Sequence, residues 1–224
     1  MKQLKDMTVA EASHPHPRYV LLKLTDSTPL PDITPGQFVQ VKVEGSPSTF
    51  LRRPISINYV DKEKNQIWLL IQTVGEGTKK PPQGVLHPVG DEAGHVLFAQ
   101  DGLLAHGKKD LHHGLRHLVG GGVGVAPLLD YGRYLKENGA VPVFLLGARS
   151  KNDLLELDLF KNIGDLYITT EDGSEGEKGF VTQHSILTST HFDRISTCGP
   201  KPMMVAVAKF AKANNIPCEV SLEN

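Results

Sequence analysis

The run Gly120-Gly121-Gly122-Val123-Gly124 sets four glycines in five residues between an apolar stretch, Leu115–Val119, and a helical one, roughly Ala126–Asn138, closed by Gly139. Glycines at a strand–helix junction let backbone come close to a ligand. The helix that begins there offers free N–H groups and the positive end of its dipole, the arrangement that holds a pyrophosphate. Ala126-Pro127 stands where a G-x-G-x-x-G motif would bring its third glycine, and Pro127 suits a first helical turn. An ordinary tight turn does not call for four glycines, so the loop predicts nucleotide binding.

The chain around this loop alternates strands with helices. Val141–Ala148, Leu166–Thr170, Arg194–Thr197 and Cys218–Leu222 read as strands. Leu154–Phe160 reads as a short helix, and Pro200–Ala213 as a helix with Met203, Val207, Phe210 and Ala211 on one side. The alternation predicts a Rossmann-like parallel sheet with right-handed crossovers. Ligands of such sheets gather at the carboxyl ends of the strands. Cys198-Gly199-Pro200 and Thr170-Glu171-Asp172-Gly173 fall at such ends and are candidate linings, although Pro200 also suits a helix start and Asp172-Gly173 a turn.

The first hundred residues follow a different rule. Val39, Val41 and Val43 alternate with Gln40 and Lys42, the period of a half-buried strand, after a Pro35-Gly36 turn. Tyr19–Leu24 is a further strand. Arg53–Asn58 and Ile67–Gln72, separated by the polar stretch Asp61–Gln66, suit a hairpin. Short strands joined by turns predict a small antiparallel β-barrel. The expected division is residues 1–105 for the barrel and 106–224 for the α/β domain, with the join inside Gly102–Gly114. The segment Lys79–Gly114, with three prolines and five histidines, has no periodicity from which to read an element.

Charge and composition remove several function classes. With 24 basic and 25 acidic side chains the formal net charge is −1, so no basic footprint for nucleic acid or an anionic membrane exists. The longest apolar runs, such as Val143–Leu146, are far below a membrane span, and Met1–Met7 lacks an apolar signal core. A cytoplasmic protein is expected. The adjacent His112 and His113 do not share a face, and no H-e-x-x-H or His/Cys spacing occurs, so no metal site is expected. No G-x-S-x-G elbow supports acyl transfer. Two cysteines, Cys198 and Cys218, are too few for a disulfide scaffold or for the four thiolates of an iron–sulfur cluster.

Two further motifs are weak singly. Arg53-Pro54-Ile55-Ser56 begins a barrel strand, where an arginine can grip a phosphate with two bonds and a serine can face a flat ring. Gly75-Glu76-Gly77-Thr78 follows Ile67–Gln72, and the N–H groups of such a turn can hold an anion.

In order along the chain, the Arg-x-x-Ser strand, the Gly-Thr turn, the glycine loop ending in Ala-Pro and the Cys-Gly-Pro turn resemble the ferredoxin–NADP reductase superfamily. More narrowly, Leu51–Ile57, Gly75–Thr78, Gly120–Leu129, Leu146–Ser150, Thr170–Gly173, Cys198–Met204 and Cys218–Glu223 resemble the electron transfer subunits of NAD-dependent dihydroorotate dehydrogenases. The resemblance implies FAD in the barrel and NAD in the α/β domain. Arg53, with Pro54 and Ile55 beside it, would hold the FAD pyrophosphate, and Ser56 would lie near the reactive edge of the flavin. Leu70, Ile71 and Gln72 would line the flavin with backbone, and Gly77 and Thr78 would touch its phosphate arm. Gly121, Gly122, Gly124, Ala126 and Pro127 would border NAD together with Gly199 and Pro200, and Cys198 would approach the nicotinamide. Ser56 and Cys198 are thus the residues expected beside the reacting rings.

The implied role is a converter: nicotinamide exchanges electrons as a hydride, a [2Fe-2S] cluster takes them singly, and flavin does both. The family's partner is an FMN-containing catalytic subunit, the assembly being a heterotetramer of two subunit pairs in pyrimidine biosynthesis. Its cluster cysteines follow the position of Asn224, so a cluster is expected only from residues beyond 224. Gly90-Asp91 matches a family turn, but Lys79–Gly114 otherwise departs from the pattern. Two other functions fit the same motifs. One is a freestanding NAD(P)H–flavin or ferredoxin reductase; the other is a regulatory or scaffold protein that keeps the fold without redox work.

Overall fold

A computed structural model describes residues 3–41, 53–74, 92–102 (backbone) and 114–221. The chain forms two compact units, Met1–Ala105 and His106–Asn224.

The first unit is a seven-stranded antiparallel sheet of β1 (Gln3–His16), β2 (Tyr19–Thr25), β3 (Gln37–Val41), β4 (Arg53–Ser56), β5 (Tyr59–Asp61), β6 (Gln66–Gln72) and β7 (Glu92–Gly102). Their spatial order is β4-β3-β7-β1-β2-β6-β5. The two ends of that order, β4 and β5, are consecutive in the chain and joined by Ile57-Asn58 alone. Laid flat, seven strands would put their outer members about 29 Å apart. The link from Ser56 to Tyr59 reaches at most about 11 Å. The sheet must therefore curl until its ends meet. Hydrogen bonds record the closure: Ile57 N–H donates to Gln37 O at 3.0 Å beside β3, and Asn58 N–H donates to Trp68 O at 2.8 Å on β6.

Alternation decides what faces inward. Val20, Leu22 and Leu24 of β2, Val39 and Val41 of β3, and Ile67, Leu69 and Ile71 of β6 form the core with Met7, Val9, Ile57 and Val60. Each such side chain, fully buried, contributes about 1.5–3 kcal/mol. The Pro35-Gly36 turn is present, with Gly36 at φ 82°. The hairpin expected around Asp61–Gln66 exists, but β6 pairs there with β5, not with Arg53–Asn58. Arg53–Ser56 pairs instead with β3. A sequence pattern locates a turn and leaves open which flanking strand returns through it.

The second unit is a parallel sheet of β8 (Leu115–Gly121), β9 (Val141–Ala148), β10 (Asp165–Thr170), β11 (Glu177–Lys178), β12 (Arg194–Cys198) and β13 (Cys218–Ser221). Its order is β11-β10-β9-β8-β12-β13. From β8 the chain winds outward through β9, β10 and β11, then returns to the other side of β8 with β12 and β13. The direction of winding thus reverses between β8 and β12.

Helix α1 (Ala126–Glu137) packs on β8 and β9, and α2 (Leu157–Ile163) packs on α1 and β10. Gly132 in α1 makes this possible, since a Cβ there would lie 2.3 Å from the Phe144 ring. Phe144 in turn meets Phe160 of α2 edge-on, with centroids 4.9 Å apart. The opposite face is covered by α3 (Ile186–Ser189) and α4 (Lys201–Ala213), with Val119, Val143, Leu145, Ile195, Val207 and Ala211 in its core. Met203 and Phe210 pack against that core, as the helical spacing predicts. The short helix starts at Leu157, three residues later than the reading from Leu154, because Glu156 takes left-handed backbone at φ 56° and breaks the preceding turn. Among the described residues no helix is long and apolar enough to cross a membrane.

Candidate functional site

The reversal between β8 and β12 fixes where a ligand crevice can open, because loops from the carboxyl ends of these strands diverge to opposite sides of the sheet. Gly120 and Gly121 close β8, and Gly122–Val125 forms one 3-10 turn that runs straight into α1, with Pro127 in its first turn. Across the reversal, Cys198 closes β12 and Gly199-Pro200 leads into α4.

These two loops touch backbone to backbone. A Cβ on Gly124 would stand 2.4 Å from Gly199 Cα and N and 2.5 Å from Cys198 C. Gly199 has φ +151°, and a Cβ there would lie 2.8 Å from Gly121 O. Pro200 Cδ is 3.6 Å from the Cβ position of Gly121. The structure thus brings together Gly121, Gly122, Gly124, Ala126, Pro127, Cys198, Gly199 and Pro200, all proposed from sequence. It also shows that Gly124 and Gly199 lack side chains chiefly to admit each other. Gly122 and Val123 are the half-exposed residues of the loop.

Neither the 3-10 turn nor α1 has a side-chain cap at its start. The leading N–H groups of the 3-10 turn therefore have no acceptor from its cap residue, which fits a phosphate-bearing ligand, whereas Ala126 N–H, at the start of α1, donates to Val123 O. Ala126 and Pro127 are buried, so their part is to aim the helix, and the Cys198 side chain is 1% exposed.

Gly147, at the end of β9, was missed as a site residue. A Cβ there would lie 2.5 Å from Val181 Cγ1, so the loop after β11 packs over this strand end. The following residues, Ala148 to Ser150, are joined to the loop after β10: Glu171 N–H donates to Ala148 O, and Asp172 N–H to Arg149 O, both at 3.1 Å. Ser150 Oγ donates to Asp153 Oδ2 at 2.9 Å, a bond signalled in the sequence by Ser-x-x-Asp spacing.

In the barrel, β4 lies beside β6 where the sheet closes. Ile55 packs on the core. Alternation therefore turns Pro54 and Ser56 outward, and on β6 it turns Leu70 and Gln72 outward, opposite to Leu69 and Ile71. Ser56 and Gln72, both half-buried, thus lie on the side of the strands away from the core, and Leu70 on that same side is covered, 2% exposed, while Ile55 and Ile71 can offer a ligand only backbone. Arg53 opens β4, half-buried, and among the described residues its guanidinium has no ion-pair or hydrogen-bond partner. An unengaged guanidinium at a strand start fits a phosphate. Gly77 and Thr78 lie outside the described residues, as do Gly75 and Gly90-Asp91. Among the described residues no group of three or more His, Cys, Asp or Glu is placed to hold a metal.

Comparison with known proteins follows the same division. Residues 118–209 match the oxidoreductase NAD-binding domain family. The dihydroorotate dehydrogenase B (NAD(+)) electron transfer subunit of Lysinibacillus sphaericus is 36% identical over 186 residues, covering 80% of this chain and 68% of that protein. The chain belongs to the family of dihydroorotate dehydrogenase B electron transfer subunits. Its relative of the same name in Shouchella clausii is 40% identical over 173 residues, covering 77% of this chain. The chain spans 65% of the length of that relative.

Among solved structures, an NADH-dependent reduced ferredoxin-NADP oxidoreductase superposes with a TM-score of 0.80 at 26% identity, over 97% of this chain and 76% of the other. A ferredoxin NADP+ reductase from Neisseria gonorrhoeae, with bound FAD and NADP, superposes at 0.72 with 14% identity, over 100% of this chain and 98% of the other. The second likeness is one of fold alone. The antiparallel sheet followed by a six-stranded parallel sheet is the fold expected for this family of electron transfer subunits.

Proposed function

We propose that the chain is the electron transfer subunit of an NAD-dependent dihydroorotate dehydrogenase, working between an FMN-containing catalytic subunit and NAD. The observation that carries this reading is identity of 34–40% to named electron transfer subunits over most of the chain. It is joined by the meeting, at the reversal of the parallel sheet, of the glycine loop and the Cys-Gly-Pro turn that the resemblance singles out.

Each unit then has a task. Arg53 would clamp the FAD pyrophosphate, Ser56 would lie near the reactive edge of the flavin, and Leu70 and Gln72 would line the ring with backbone. Ile55 and Ile71 would contribute backbone, and Gly77-Thr78 would contact the phosphate arm. The uncapped turn at Gly122-Val123 would take the pyrophosphate of NAD, and Cys198-Gly199-Pro200 would border its nicotinamide. When bound, flavin supplies exchange between hydride transfer and one-electron carriers; the residues named here bind and orient. Cys198 and Cys218 do not form a cluster site. Cys218 faces the α4 side with its register partner Ile195, while Cys198 has the opposite parity on β12 and faces the other way. A [2Fe-2S] cluster is assigned to residues outside this chain.

Flavin content tests the assignment. Protein produced together with the FMN-containing partner should co-purify with it and show flavin bands in the blue and near-ultraviolet. Arg53→Ala should lower FAD occupancy about tenfold or more, since a charge-assisted bidentate contact contributes about 1.5–3 kcal/mol. Undiminished FAD in that variant would remove Arg53 from the site. A yellow protein that never associates with a partner would favour a freestanding reductase, and a colourless one that cannot be reconstituted would favour a protein without redox work.

A further inference from the structure

Strand β11 is two residues long and lies at the edge of the parallel sheet, so the chain that leaves it has little sheet to hold it. A 3-10 turn, Val181–Gln183, carries that chain toward α3. The turn keeps its own shape: Gln183 N–H donates to Phe180 O and Phe180 N–H donates to Gln183 Oε1, both at 2.8 Å. Its place is fixed by a different contact. Ser185 N–H donates to Glu177 Oε2 at 2.9 Å, and the Ser185 hydroxyl donates to Glu177 Oε1, so the segment between them is clasped into a loop. These bonds hold the Glu177 carboxyl below its usual range, and both of its oxygens stay acceptors.

The clasped turn backs both loops that meet at the reversal of the sheet. Val181, buried, covers Gly147, where a Cβ would lie 2.5 Å from Val181 Cγ1. Gly147 is the register partner of Gly121, whose own Cβ position is 3.3 Å from Gly147 O. The same turn packs against α4. There Met203 reaches both loops, with its sulfur 2.9 Å from the Cβ position of Gly121 and its methyl carbon 2.8 Å from that of Gly199. Three residues thus buttress the glycine loop through β9 and the Cys-Gly-Pro turn through α4. A clasp could also serve stability alone, but the Glu177 side chain is 42% exposed. Water replaces Ser185 when the clasp opens, so global stability changes little. What changes is the position of the turn.

We infer that Glu177 is a positioning residue for dinucleotide binding: through Ser185 it presses the Val181–Gln183 turn against β9 and α4, and so holds the glycine loop and the Cys-Gly-Pro turn in their binding geometry. The carboxylate acts through the turn and not on the ligand. With the clasp open the turn is in place for only part of the time, and apparent affinity falls by that fraction. The inference rests on the dinucleotide reading of the reversal between β8 and β12.

The test is NADH titration of the full chain, with the rate of NADH oxidation by ferricyanide measured alongside, for wild type, Glu177→Ala, Glu177→Gln and Ser185→Ala. Glu177→Ala should raise the NADH Kd about tenfold, with kcat and FAD content unchanged. Its unfolding midpoint should fall by less than about 3 °C, a shift too small to explain lost binding. Ser185→Ala removes one bond and keeps the charge, and should raise Kd about threefold. Glu177→Gln loses the charge but keeps a carbonyl acceptor for Ser185 N–H, and should stay within about twofold of wild type. A purely electrostatic part for Glu177 predicts otherwise: both of its variants would bind NADH more tightly, and alike, because a negative charge near an anionic ligand has gone. Equal shifts in the two Glu177 variants, or a Kd unchanged within about twofold in both Glu177→Ala and Ser185→Ala, would overturn the role of Glu177 and leave the dinucleotide site standing. Should Glu177→Ala fail to fold, Ser185→Ala decides by itself. A wild type that does not bind NADH would overturn the dinucleotide reading as well.

Discussion

Gly124→Ala should abolish tight dinucleotide binding, lowering affinity about a hundredfold, and should destabilise the α/β unit by about 1–3 kcal/mol. The added carbon would lie 2.4 Å from Gly199 Cα and N and 2.5 Å from Cys198 C. These are backbone atoms, so no rotamer change relieves the contact. The glycine loop and the Cys-Gly-Pro turn must move apart, and together they stand where the strand order reverses between β8 and β12, the place proposed for the dinucleotide. A shift of about 1 Å at such a site is enough for a loss of this size. Gly121→Ala is the control. Its Cβ would meet first the thioether of Met203, at 2.9 Å, the end of a flexible side chain that can swing away. The two variants differ by one methyl each and sit three residues apart. Thermal unfolding of both should give a midpoint about 3–10 °C lower for Gly124→Ala and a smaller change for Gly121→Ala, while NADH titration follows the loss of binding in Gly124→Ala. Equal effects would mean that the loop contact does not organise the crevice.

The glycine loop illustrates how far sequence reaches. Its place between Leu115–Val119 and a helix, and its link to nucleotide binding, are visible in a local pattern of glycines and apolar residues. The use to which Gly124 is put is not, because the atom that forbids a side chain belongs to Gly199, on a loop that only the β8–β12 pairing brings near. The barrel divides in the same way. Ile67, Leu69 and Ile71 announce β6 by alternation, and the core uses all three. Strand β1 announces nothing, since Met7 and Val9 are its buried aliphatic anchors among Lys5, Asp6, Glu11 and His14, and its pairing with β2 is broken by register shifts. Its partners β2 and β7 define it as a strand.

A second large effect is expected on acidification, from a histidine that takes no part in binding. His117 lies on β8 between Val143 of β9 and Ile195 of β12, fully buried, with its ring stacked on Phe192 at 4.1 Å and 16°. Burial pushes its pKa down to about 3; the Val143 backbone opposes this and the charge of nearby His184 adds to it. The Val143 contribution is a weak one, since neither ring nitrogen has a partner in hydrogen-bond geometry. In the unfolded chain the same ring titrates near 6.5. Above that pH it is neutral in both states and stability does not depend on it. Below it the unfolded chain takes up a proton that the folded chain refuses. Stability should then fall by about 1.4 kcal/mol per pH unit, until the folded ring itself titrates near 3. His184, whose pKa burial also lowers against the opposing charge of Glu177, acts in the same direction. Between pH 7 and pH 5 the His117 contribution alone is about 2 kcal/mol, a large fraction of the stability of a domain. Urea unfolding followed by far-ultraviolet circular dichroism from pH 8 to pH 5 should show this decline in the wild type. His117→Leu should flatten it, and should cost little at pH 8 because the leucine removes two buried nitrogens that lack partners. Profiles that run parallel in the two proteins would mean that the folded state accepts the proton, and that the stacked, neutral ring is not what β8 holds at neutral pH.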